Sequence, residues 1–327
     1  MNGQEIIRKA IEFETPPRIG IIFDAVGVND VYTITYGYGS DYRPSEPDED
    51  EWGCIREKTD LPTMGQVKRN PIKTMTDMKN HRFPDANDDS RYVPVEMVLP
   101  YADGRYVLAY IGFGLFEQLH FLHGFADSLA DLHLNPSLIE ELLDVILEFK
   151  LGLVSNFHKR FPGTIHGITM TDDWGTQQAI FISVPMWRRF FRPRYQKLFA
   201  AAHDAGMHFW LHSCGRVNDL IPEFIDIGLD VINLQQPRAL GIEEIGRRFR
   251  GRICFESLAD IQTTLPAGTR EEMEREAQLL LEHWATPQGG FILSDYDDSA
   301  AIQVSHEQKK KMFEAFRKAG KFDVQPA

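Results

Sequence analysis

From about residue 101 onward the chain repeats one unit: a short apolar run that reads as a buried strand, then an amphipathic helix. Strands are predicted at 105–111, 164–170, 207–211, 231–234, 252–255 and 291–293. Helices are predicted at 115–133, 136–157, 184–205, 217–227, 242–249, 270–284 and 305–318. Strands joined by helices pair in parallel, so this rhythm dictates an α/β architecture. An earlier apolar run at 18–23 adds a seventh strand. It comes after an amphipathic helix at 4–13 that Pro16 and Pro17 stop. Seven such strands leave one to find for a (β/α)₈ TIM barrel, the expected fold, with residues 1–327 forming one domain. An open doubly wound sheet is the structural alternative. No GxGxxG follows the first strand, so no nucleotide cofactor is expected.

Residues 41–100 break the rhythm. They are rich in Asp, Glu and Pro, and Glu51-Trp52-Gly53-Cys54-Ile55 and Met64-Gly65-Gln66-Val67 read as a hairpin. An acidic loop comes next, at 84–91. A stretch this long within one domain reads as an N-terminal insertion, a lid over the barrel mouth. The net charge of −13 argues against nucleic acid or anionic membrane as a partner. An odd set of three cysteines, Cys54, Cys214 and Cys254, suits a reducing compartment rather than a disulfide framework. There is no run of 18 apolar residues, and the start has neither a basic nor an apolar leader region, so a cytoplasmic protein is expected.

Barrel active sites lie at the carboxyl ends of the strands, so the residues just past each strand matter most. Asp24 comes after Phe23. Thr171, Asp172 and Asp173 come after Met170, and His212, Ser213 and Cys214 after Leu211. Gln235 and Gln236 come after Leu234, Glu256 after Phe255, and the segment from Ser294 to Asp298 after Leu293. Six polar strand ends converge if the strands are placed correctly. His212 and Cys214, two apart in an extended segment, point to one side. An imidazole nitrogen and a thiolate facing one point suit zinc. The alternative is a hydrogen-bonded barrel histidine beside a packed thiol. A third ligand must come from elsewhere: Asp295 or Asp297 first, Glu256 next, and Asp172 as a further candidate. Asp172, Asp173 and Asp24 are candidate catalytic groups, although adjacent aspartates also suit a helix N-terminus. Gln177, Gln235, Glu117 and Tyr296 are candidate substrate contacts. Glu117 and His120 also read as a surface pair on a helix, and the turn holding Asp295, Asp297 and Asp298 as solvated acid. Cys54 and Cys254 read as packing residues.

Several segments together resemble the uroporphyrinogen decarboxylase superfamily. They are Thr171-Asp172-Asp173-Trp174-Gly175-Thr176-Gln177 with the helix through Phe190, Pro193 and Tyr195; His212-Ser213-Cys214-Gly215 followed by Leu220-Ile221-Pro222; and Leu265-Pro266-Ala267-Gly268-Thr269 before a long helix. The resemblance runs from about Arg18 to the last helix and implies a TIM barrel. Its decarboxylases grip a polycarboxylate with an arginine-rich motif after the first strand. Here that stretch reads Phe23-Asp24-Ala25-Val26-Gly27-Val28-Asn29-Asp30, without arginine, so little or no uroporphyrinogen decarboxylation is expected. The zinc-dependent methyltransferases of the superfamily carry a His-x-Cys pair that His212 and Cys214 match. Their third ligand is a cysteine near the last strand, where this chain has Ser294-Asp295-Tyr296-Asp297. The resemblance therefore implies a methyltransferase that moves a methyl group from a small compound to a thiol or to a corrinoid protein, assisted by Zn²⁺ with an oxygen ligand. The corrinoid would enter only with its partner protein, and a homodimer is a further assembly to expect. A carboxy-lyase and a non-catalytic ligand-binding barrel are the alternatives.

Overall fold

The computed structural model describes residues 1–58, 65–296 and 298–324. Among these the strands are β1 (Gly20–Phe23), β2 (Val28–Asn29), β3 (Val31–Thr35), β4 (Ile55–Glu57), β5 (Gln66–Arg69), β6 (Tyr106–Phe113), β7 (Gly167–Thr171), β8 (His208–His212), β9 (Val231–Leu234), β10 (Cys254–Ser257) and β11 (Phe291–Ser294). Nine form one sheet in the order β2-β1-β11-β10-β9-β8-β7-β6-β3. Every pairing from β1 through β11 and back to β3 is parallel; only the two-residue β2 runs antiparallel, against β1. Asp30, between β2 and β3, bridges the remaining seam. Its N–H donates to Ile21 O at 2.8 Å and its carbonyl accepts from Tyr106 N at 2.8 Å. Its carboxylate accepts from Arg18 at 2.6 and 2.7 Å and from Ile21 N at 2.9 Å. The result is a nearly closed barrel of TIM type, and β3 is the strand missing from the sequence count.

Two layers of inward-facing residues arise from strand alternation. The lower layer is a cluster of Val31, Tyr106, Leu108, Trp210, Val231, Cys254 and Ile292, closed from below by Ile7, Ala10 and Ile11 of the helix Gly3–Ile11. Two residues further along the same strands come Tyr110, His212, Asn233, Glu256 and Ser294. They face the same side one layer higher, towards the shared carboxyl end. The outward faces of the strands pack on the surrounding helices in a separate, larger core.

Helices expected as single pieces are divided where the backbone requires it. Gly124, at φ 103°, separates Leu115–His123 from Phe125–Leu134. The stretch 184–205 splits at Phe191 into Val184–Phe190 and Arg192–Asp204, because Pro193 cannot donate to the preceding turn. The hairpin of the insertion forms as β4 against β5. The insertion docks on the C-terminal end of Leu115–His123, whose last carbonyls lack helical partners. Asn70 donates to Phe121 O at 2.9 Å, Ile72 N to Leu122 O at 3.1 Å and Lys73 Nζ to His123 O at 2.8 Å. No helix among the described residues is long and apolar enough to cross a membrane.

Candidate metal centre at the barrel mouth

His212 ends β8 and stands opposite Asn233 in the β8–β9 register. Its Nδ1 lies 2.5 Å from Asn233 Oδ1. An amide oxygen only accepts, so Nδ1 carries the proton and Nε2 keeps its lone pair. Nε2 lies 3.3 Å from Cys214 Sγ and 3.6 Å from Asp173 Oδ1. Asp173, His212 and Cys214 thus offer a nitrogen, a sulfur and an oxygen all within 4.8 Å of one another, the one such group among the described residues.

The loops after β7 and β8 hold this group together. Asp173 Oδ1 accepts from Cys214 N at 2.7 Å, and Ser213 Oγ accepts from Trp174 N at 3.1 Å. Arg216 N donates to Thr176 O at 2.7 Å. Gly215 sits at φ 82°, where a Cβ would stand 2.2 Å from Gly175 O, so the loops meet this closely only through glycine. Gln236 Oε1 accepts from Gly215 N and from Gln177 Nε2, both at 3.0 Å.

The two adjacent aspartates have different surroundings. Asp172 is fully buried. Its Oδ1 accepts from Glu117 N at 2.8 Å, and its Oδ2 from Phe116 N at 3.1 Å and from the Tyr195 hydroxyl. It therefore satisfies the open N-terminus of Leu115–His123 from a neighbouring strand. Even a Cβ on Gly114 would lie 2.2 Å from Asp172 Cγ. Asp173, 39% exposed at its side chain, is the one that faces the mouth.

Other expected site residues fall outside the group. Asp295, the first choice for third ligand, is buried and ion-paired with Lys309 at 3.0 Å, and accepts from Ala25 N at 3.1 Å. It fastens β11 to β1 and to the helix His306–Gly320, and Asp173 takes the place beside the histidine and cysteine. Asp297 lies outside the described residues. Glu256 lies within β10 rather than after it, in the inward layer next to Asn233, and is not one of the three. Asp24 is exposed and accepts from Asn29. Gln177 is exposed and reaches Gln236. Gln235 lies just past β9, and its carbonyl accepts from Ile261 N at 3.2 Å. Tyr296 is partly buried, with its N–H donating to Asp295 at 2.8 Å.

Glu117 is buried, with Oε2 lacking a hydrogen-bond partner among the described residues. Burial first, then the charges of Asp173 and Asp172, push its carboxyl up to about 9. Burial likewise pulls His120 down to about 4. The Cys214 thiol is pushed above its ordinary value by burial and then by Asp173, so it needs a cation to ionise at neutral pH. Gln236, one of the polar strand ends of the sequence, positions the loop, and Asn233 positions His212 without any local pattern in the sequence to mark it.

A family model described as Uroporphyrinogen decarboxylase (URO-D) matches residues 67–318. The chain belongs to the uroporphyrinogen decarboxylase family. Among solved structures, a methyltransferase from Methanosarcina mazei is similar at TM-score 0.67 and 15% identity, covering 97% of this chain and 86% of that one. At that identity the likeness is one of fold. A D-psicose 3-epimerase from Clostridium cellulolyticum H10 is also similar, at TM-score 0.42 and 11% identity, covering 69% of this chain and 82% of that one. No curated protein matches the chain. Asp173, His212 and Cys214 lie at the carboxyl ends of β7 and β8, the barrel face where active sites of such folds are built.

Proposed function

We propose that this protein is a methyltransferase of the uroporphyrinogen decarboxylase superfamily, holding Zn²⁺ on His212 Nε2, Cys214 Sγ and an oxygen of Asp173. The observation that carries the reading is the convergence of these three atoms, with Asn233 fixing the histidine tautomer from behind. A metal-binding histidine typically donates its other ring N–H in this way. A mixed nitrogen, sulfur and oxygen set suits a borderline-soft cation. When bound, the ion acts as a Lewis acid that activates a thiol acceptor or polarises the atom losing its methyl group. Asn233 and Asp173 keep the histidine and the Cys214 backbone in place, and Gln236 keeps the loop from swinging away. Glu117 is a buried acid beside Asp173. Burial, the largest cause, raises its carboxyl to about 9 in the metal-free protein, which makes it a candidate hydrogen-bond donor at the mouth. The donor is a small methylated compound, and the acceptor is a thiol or the corrinoid of a partner protein. The missing arginines after β1 weigh against a carboxy-lyase.

Zinc titration of chelator-stripped protein tests the metal. One ion per chain is expected, weakened in His212→Ala, Cys214→Ser and Asp173→Ala by at least the factor of about ten that loss of even a supporting group causes. Wild-type affinity in His212→Ala or Cys214→Ser overturns the site. Zinc-dependent demethylation of methylcobalamin by a small thiol, monitored in the cobalamin spectrum, tests the transfer.

A further inference from the structure

Beneath the insertion, between the carboxyl ends of β3 and β6, lies a cavity of about 420 Å³. Its walls are largely aromatic, with Tyr36, Trp52, Phe113 and Phe149 among them. A volume of this size with apolar walls and a few polar groups is typical of a small-molecule site. Two buried donors line it. Gln118 is 4% exposed, and its Nε2 is buried without a hydrogen-bond partner among the described residues. Lys150 is 2% exposed and among the described residues makes one hydrogen bond, to Ile111 O at 3.2 Å, which leaves two of its three protons without a partner there. Native structures rarely leave an amide donor or an ammonium group in this condition, because each gave up water to be buried.

The acidic residues of the same wall are already occupied. Glu51 binds Arg91 at 2.5 and 2.7 Å. Asp50 accepts from Trp52 N at 3.0 Å and Cys54 N at 2.9 Å, and burial raises its pKa, which favours its neutral form. Lys150 remains a cation at neutral pH. Burial brings it down to about 8, opposed first by the charge of Asp172.

We propose that this cavity binds a small aromatic carboxylate, with its ring against Trp52, Phe113 and Phe149 and its carboxylate accepting from Lys150 Nζ and Gln118 Nε2. Two N–H donors, one of them cationic, suit a carboxylate's two oxygens. A phosphate or a second carboxylate would need cations that the wall lacks among the described residues. None of Asp173, His212 and Cys214 lines this cavity. The site does not itself depend on the ion.

Benzoate and its neutral counterpart benzamide are suitable probes, measured by calorimetry and by thermal unfolding of the full chain. Saturable one-to-one binding of benzoate is expected, with benzamide at least tenfold weaker. Lys150→Met is expected to lose tenfold or more for benzoate with little change for benzamide. Gln118→Leu removes an unpaired buried donor, so it should raise the unfolding temperature of the free protein while shrinking the shift that benzoate produces. Absence of saturable benzoate binding overturns the proposal, as does equal benzoate affinity in wild type and Gln118→Leu. Gln118→Leu decides the matter even where Lys150→Met fails to fold. Zinc titration of Gln118→Leu is expected to match wild type, so failure of the acid site and failure of the metal site are told apart.

Discussion

The same strand, β8, presents a histidine at each end of the barrel, and the two have different surroundings. At the floor His208 stacks on Tyr106, with ring planes 19° apart. Its Nδ1 lies 2.9 Å from the Tyr106 hydroxyl and its Nε2 lies 3.3 Å from Glu12. The helix Gly3–Ile11 closes that end with aliphatic side chains. At the mouth, four residues on, His212 has one nitrogen fixed by Asn233 and the other turned towards a thiol and a carboxylate. The cysteines divide in the same way. Cys254 is packed in the floor cluster with Trp210 and Val231, whereas Cys214 sits in a half-buried loop. Residue type does not separate a candidate ligand from a packing residue here. Position along the strand does, because the amino ends meet a plug and the carboxyl ends meet open loops.

The largest effect that would break this contrast belongs to the floor. Trp210→Ala is expected to cost about 3–5 kcal/mol of stability, as large-to-small changes at fully buried aromatics do, while the folded fraction keeps wild-type zinc affinity. A floor mutation that instead altered zinc binding would mean that the two ends are not separate. Next comes His212→Ala, expected to lose about a hundredfold or more in zinc affinity with a smaller loss of stability. The control is His208→Ala, expected to do the reverse in urea unfolding. Asn233→Leu should weaken zinc by about tenfold to a hundredfold, because the ring loses its orienting acceptor, and wild-type affinity there would remove the tautomer argument. The smallest effect is in pH. Burial lowers the pKa of His208 and His166 below their ordinary 6.5, so the unfolded chain takes up their protons first as pH falls. Stability is expected to decline as pH drops through 6.5 and below. The urea midpoint at pH 7.5 and 5.5 should show a smaller difference in His208→Asn than in wild type.

Much of this was legible in the sequence, and the misses have identifiable causes. Six strands from 105 onward could be placed because a helix separates each from the next, and the run at 18–23 because a helix precedes it. β3, Val31-Tyr32-Thr33-Ile34-Thr35, has the β-branched alternation of a strand, but only a 3₁₀ turn and β2 separate it from β1, so the rhythm gives no cue. Its inward residues Thr33 and Thr35 are exposed and polar, which also hides it. The Asp172–Asp173 pair could have been resolved by the same alternation that paired His212 with Cys214: neighbours in an extended segment point to opposite sides, and one of the two had to turn inward. Asn233 becomes visible only through the β8–β9 register, which no single strand encodes. Lys150 lies mid-way along the helix Pro136–Arg160 and resembles any other helical lysine until the cavity beside it is seen.

The pairing of β1 with β11 also has a consequence in time. Ile21 lies opposite Leu293, and Ala25 N donates to Asp295, 270 residues later in the chain. As the chain is synthesised, one edge of the first strand waits until almost everything else has been made. The helix that plugs the floor also waits for Ile292, the last member of its cluster. The entropy cost of so long a loop grows only slowly with its length. The exposure of an unpaired edge and an apolar plug during that interval is the greater hazard. The ring remains open through most of its own manufacture and closes only as the final strand emerges.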